Sequence, residues 1–135
     1  MNTAAVEFGS IHFEGKNDTS DDSPGAFEVQ NDGNSYVNIT TDATNLWSVI
    51  DNPTDYYMFA ANKTADGNAA FDVSASITGY AVFQKTGESN NISIVYLNYT
   101  DATDTAELEV YVEVPDDEGS DVRSSTVTFT ASLAE

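Results

Sequence analysis

Apolar and polar residues alternate with a period of two along much of this chain, and helical spacing is nearly absent. Three runs are clearest: residues 71–78, 106–114 and 126–131. In the first, Phe71, Val73, Ala75 and Ile77 share one face, with Asp72, Ser74, Ser76 and Thr78 on the other. In the second, aliphatic residues from Ala106 to Val114 alternate with Glu107, Glu109, Tyr111 and Glu113. Period two marks a strand with one face buried, and the β-branched and aromatic content suits a pleated surface. Weaker runs predict further strands at 6–13, 26–30, 35–41, 46–49, 56–61, 80–84 and 92–97. Turn formers separate them at 31–34, 52–53, 66–68, 86–90 and 115–119. Short strands with turns every 8–12 residues or so predict an all-β fold: an antiparallel Ig-like or jelly-roll sandwich in a single domain. Trp47, Phe59, Phe71, Phe83 and Phe129 are the expected core aromatics.

The beginning of the chain breaks this regular spacing. Residues 6–13 read as an apolar strand with Gly9 permitting a bulge or change of phase. Residues 14–25 are polar and carry no strand pattern. This divides the chain into an N-terminal strand and polar tether, 1–25, and a sandwich, 26–135. Two readings of the tethered strand stay open. It folds back as the first strand of its own sandwich, or it leaves and completes the sheet of a neighbouring subunit. In the second, Val6, Phe8, Ile11 and Phe13 are the buried anchors, each worth about 1.5–3 kcal/mol if fully covered, before ordering costs.

Composition narrows the function. Of 135 residues, 23 are Asp or Glu and 4 are Lys or Arg, a formal charge of −19. A nucleic-acid partner needs a basic footprint that is missing here, and no apolar run reaches the roughly 20 residues of a membrane span. Without Cys there is no disulfide framework or thiolate site. His12 is the single imidazole and is expected on a strand. No nucleophile elbow, phosphate loop or zinc-protease motif occurs, so no enzyme is expected and no catalytic residue is assigned. The first residues have no basic or apolar signal-peptide character. Either the protein stays in the cytoplasm or a leader was removed, and the second is favoured.

Five Asn-x-Ser/Thr sequons, at Asn17, Asn38, Asn62, Asn91 and Asn98, are about twice the chance expectation for this composition. N-glycans are therefore expected. Asn38 falls on the wet face of its strand. Acidic loops holding Asp21 and Asp22, or Asp116, Asp117 and Glu118, are weak candidates for calcium, although none has EF-hand spacing. No other cofactor is expected. Arg123, the sole Arg, lies beside the second of these loops and is expected to pair locally.

Residues 110–131 run from a strand ending in Val114-Pro115, through an acidic Gly-containing loop, to a closing strand with Thr126-Val127-Thr128-Phe129. Residues 27–40 form a hairpin phrase with Asn31-Asp32-Gly33 at its turn. Both resemble archaeal bundling-pilus and thread subunits, which are similar to the TasA/camelysin biofilm-fibre proteins. The resemblance covers about 40 residues' worth of strand-and-turn phrases. It implies an exported, glycosylated sandwich at the cell surface that polymerises with itself by strand exchange. Residues 6–13 match no donor-strand motif of that family. A different class of reading is a monomeric surface module for carbohydrate or calcium, with Tyr56, Tyr57, Tyr99 and Tyr111 as contacts. A third is a capsid or spike domain of an archaeal virus.

Overall fold

The computed structural model describes residues 5–11, 15–21, 24–88, 92–119 and 122–134. Its elements are almost entirely strands: β1 (Lys16–Asp18), β2 (Phe27–Gln30), β3 (Val37–Ala43), β4 (Tyr57–Lys63), β5 (Ala81–Val82), β6 (Ile92–Leu97), β7 (Thr105–Glu113) and β8 (Val127–Leu133). Two 3₁₀ turns, Gly67–Ala69 and Asp101–Thr103, are the described helical pieces. All pairings are antiparallel, in two sheets. One runs β1-β7-β4-β5, with β2 also on β7; the other runs β6-β3-β8. The predicted all-β antiparallel sandwich is the observed fold.

The long, alternating β7 organises the first sheet. One edge pairs with β4, from Tyr57↔Val112 to Lys63↔Ala106. The other edge is shared in tandem: β2 covers residues 105–108 and β1 covers 111–113. Thr19 bridges the interval. Its N–H donates to the Val110 carbonyl, and its hydroxyl accepts from the Val110 N–H and donates to the Glu109 carboxylate. Thus β1 lies inside the stretch expected to be a patternless tether. Lys16-Asn17-Asp18 has no apolar alternation because its strand is imposed by the free edge of β7, not by a face of its own.

Inward side chains of both sheets merge into two clusters. One gathers Phe27, Trp47, Tyr57, Phe83 and Leu108; the other gathers Ile39, Phe71, Ile94 and Leu97. Phe129 packs against both but stays half-buried. Four of the five expected core aromatics are buried; Phe27 and Tyr57, not among them, are buried too.

Besides residues 6–13, described below, three expected strands differ. Residues 71–78, with the cleanest alternation, form turns. Asp72 is responsible: its carboxylate accepts from the Ala75 N–H and the Ser74 hydroxyl, and its carbonyl from Ser76. Such local bonds compete with a ladder. The segment instead closes one side of the sandwich through Ile77, whose carbonyl accepts from Ala61 of β4 while its N–H donates to Ser93 of β6. Residues 46–49 are likewise irregular, because side chains satisfy their backbone: the Ser48 and Val49 amides donate to Glu118. Of residues 80–84, Ala81 and Val82 alone are strand.

Candidate assembly groove

The two sheets do not meet evenly. Where β7 ends and β8 begins they leave a groove of about 1270 Å3. Phe27, Tyr57, Val110 and Val112 form its floor, all of them core residues. Leu46 and Trp47 line it as well, and so do residues of the chain from Glu118 to Val127.

Residues 5–11 also line this groove. Val6, Phe8 and Ile11 are half-buried and pack against the core cluster, while Ala5, Glu7, Gly9 and Ser10 are exposed. Gly9 has φ +68°, in the left-handed region. That turn shifts the phase, so Phe8 and Ile11, three apart, both reach the core. Yet the segment is not a strand. Among the described residues, no backbone hydrogen bond joins 5–11 to either sheet. Its side chains are placed and its backbone is unladdered. Phe13 and His12 lie outside the described residues.

A second feature adjoins the groove. β8 pairs with β3 along its whole length and is an edge of its sheet. Its inward residues, Val127 and Phe129, are half-buried, and Leu133 is 68% exposed. Among the described residues no strand pairs with the outer side of β8, and an edge strand with unpaired amides and carbonyls beside an apolar groove is a template for another strand.

The rim is held by polar contacts. The Tyr57 hydroxyl donates to Ser125, whose hydroxyl donates to the Thr44 carbonyl. Burial pushes the Tyr57 phenol up to about 12, against the lowering effect of the Ser125 bond. The Trp47 indole donates to the Tyr56 carbonyl. Arg123 forms an ion pair with Glu118, the local pairing expected for it, and reaches the Ser48 hydroxyl. Glu118 also accepts from the Ser48 and Val49 amides and the Ser48 hydroxyl. Burial would raise this carboxyl, but the bonds from Arg123, Ser48 and Val49 outweigh it and hold it below its usual range. Among 23 acids, nothing in the sequence singled out Glu118 for this clamp.

The other expected site residues are scattered. Asn17 is in β1, Asn38 in β3, Asn62 in β4 and Asn98 just after β6. Asp21, Asp116 and Asp117 are exposed, whereas Glu118 has its carboxylate taken up by the clamp. Among the described residues, no group of three or more His, Cys, Asp or Glu could hold a metal ion. Asp22 and Asn91 lie outside the described residues. Of the tyrosines, Tyr57 is buried in the groove floor, Tyr56 and Tyr111 are half-buried and Tyr99 is exposed. No helix among the described residues is long and apolar enough to cross a membrane. Compared with protein-family models, curated proteins and solved structures, the chain matches none, so the groove itself carries the functional argument.

Proposed function

We propose that this chain is the structural subunit of an extracellular surface filament, of the archaeal pilus or thread kind, joined by donor-strand complementation. The observation that carries this reading is the mismatch at the groove: an apolar segment has its side chains in place but no ladder, beside an edge strand with a free side. Residues 5–11 of one subunit would enter the groove of the next. There Val6, Phe8 and Ile11 would keep their apolar contacts and the backbone would gain hydrogen bonds from an edge such as β8. Each bond contributes about 0.5–1.5 kcal/mol net, and the apolar anchors supply the rest, against the cost of ordering the connection. The charge of −19 disfavours indiscriminate edge pairing.

The test is electron microscopy of the purified protein and of a variant lacking residues 1–13. The full chain should give fibres of uniform width. The truncated chain should remain folded by circular dichroism but particulate, and should bind a synthetic peptide of residues 4–13. Fibres that form equally well without residues 1–13 would sink the proposal.

A further inference from the structure

A second unusual place lies at the other end of the β6-β3-β8 sheet. Tyr96 has φ +56°, the one described residue other than glycine with positive φ. A bulky side chain in that region holds its backbone in a strained conformation. It sits where the β3–β6 register slips: Val37 pairs with Leu97 but Ile39 with Ile94, so β6 carries an extra residue. Bulges re-aim side chains. Here the Tyr96 ring comes to lie 6.3 Å from Tyr36, which lies 5.3 Å from Tyr99. All three rings are about two-fifths exposed, at 42%, 43% and 38% respectively.

Asn38 holds this arrangement. The Tyr96 N–H donates to its side-chain oxygen at 3.0 Å. Because the donor is an amide N–H, the acceptor is Oδ1, and the orientation of the Asn38 amide follows. Nδ2 is then left with no protein partner among the described residues. Two residues earlier, on the same face by the period of a strand, is Tyr36. Asn17 in β1 likewise accepts a backbone N–H at Oδ1, from Asp18 at 2.8 Å, and Asn38 is set apart from it by the three-ring cluster alongside; Asn98 and Asn62 are built differently. Asn98 Nδ2 donates to the Thr103 hydroxyl at 2.9 Å and to the Ala69 carbonyl, and Asn62 Nδ2 donates to the Glu109 carboxylate at 3.1 Å. A sugar on either nitrogen would crowd or replace internal bonds. A sugar on Asn38 would replace none and would keep Oδ1 for Tyr96.

We propose that the folded chain favours Asn38 over Asn62 and Asn98 as N-glycan acceptor, and that its first sugar rests against the Tyr36–Tyr96–Tyr99 cluster. The inference rests on the exported part of the reading above, but not on strand exchange. In the transfer step, Asn38 Nδ2 attacks the anomeric carbon of a glycan carried on a polyisoprenyl phosphate or pyrophosphate, on a sugar transferase. The bond from that carbon to the phosphate oxygen breaks, and the lipid leaves as its phosphate anion. One Nδ2 proton goes to a base, and the linked amide keeps the other. Sugar C–H faces pack well on aromatic rings, so the attached residue would hold the Tyr96 ring, and with it the strained Tyr96 backbone, in place.

The test uses the full chain, secreted from a eukaryotic host whose transferase reads Asn-x-Ser/Thr. Glycopeptide mass spectrometry reads occupancy, and endoglycosidase trimming leaves one N-acetylglucosamine for thermal unfolding. Asn38 should be occupied more fully than Asn62 or Asn98. The trimmed protein should melt about 3 °C above the same full chain made without glycan in a bacterial host, which keeps every contact of Asn38 and Thr40. Tyr36→Ala should remove that increment while leaving occupancy intact. An unoccupied Asn38 beside occupied Asn62 or Asn98, or an occupied Asn38 with no increment, overturns the proposal. Neither result touches filament formation, which is read separately by microscopy; loss of fibres with Asn38 occupied would count against strand exchange alone.

Discussion

β7 and the segment 5–11 are both alternating apolar stretches packed on the same core cluster, yet one is a strand and the other is not. β7 is laddered on both edges, by β4 on one side and by β1 and β2 on the other. Its inward residues Ala106, Leu108, Val110 and Val112 are all buried. Residues 5–11 have Val6, Phe8 and Ile11 only half-buried and, among the described residues, no ladder. Apolar contact alone therefore places a segment without fixing it. A strand is locked when burial and backbone pairing coincide, and a segment with one of them is free to find the other elsewhere.

The largest test of this comparison is at the centre of β7. Leu108 is fully buried, and Leu108→Ala should cost about 2–5 kcal/mol, read as a lower denaturant midpoint. Fibre formation by the molecules that remain folded should be unaffected. A cost well under 1 kcal/mol would mean β7 is not the anchor of the core.

The Glu118 clamp is an intermediate case, a polar tie at the groove rim. Its carboxyl is held below the ordinary range in the folded protein. Its stabilisation is therefore fully present above the unfolded value of about 4.3 and is lost as pH falls through the lower folded value. Glu118→Gln should destabilise the protein at pH 7, by about 1–3 kcal/mol for the broken buried bonds. The gap between variant and parent should close as pH drops below about 4. A gap independent of pH would show that the charge on Glu118 is not what ties residues 48–49 to the rim.

The smallest effect on the monomer, and the sharpest on assembly, is expected at Phe8. Half-buried and unladdered, it should cost the isolated subunit only about 1 kcal/mol when changed to Ala. The same variant should form far fewer fibres at equal concentration, measured by sedimentation. If Phe8→Ala were as damaging to the monomer as Leu108→Ala, residues 5–11 would be a core element of their own subunit and the comparison would collapse.

How far the sequence could be read is clearest from two segments with equally regular alternation. Residues 106–114 became most of β7, and residues 71–78 became turns. Period two reports which side chains can share a face, and both segments do bury apolar residues: Phe71 is in the core and Ile77 is half-buried. It does not report what the backbone does. The Asp72 carboxylate satisfies its neighbours locally, and the segment meets the β6 edge through the Asp72 and Ile77 amides without forming a ladder. The converse error is β1, polar and patternless, made a strand by the vacant edge of β7 and keyed by Thr19.

The candidate groove was half legible. Val6, Phe8 and Ile11 stand out as apolar positions ahead of a polar stretch, and Gly9 marks the phase change between them. The floor under them, the Leu46–Trp47 wall and the Glu118–Arg123 clamp join residues up to about a hundred positions apart, and no local pattern encodes that. The sequence by itself determined the all-β class, four of the core aromatics and the face on which Asn38 lies, because strand periodicity and burial are properties of neighbours. Tertiary structure alone decided which alternating stretches found an edge, which sequon amides were spent inside the fold, and that the N-terminal segment packs without pairing, because a backbone partner is supplied from far along the chain.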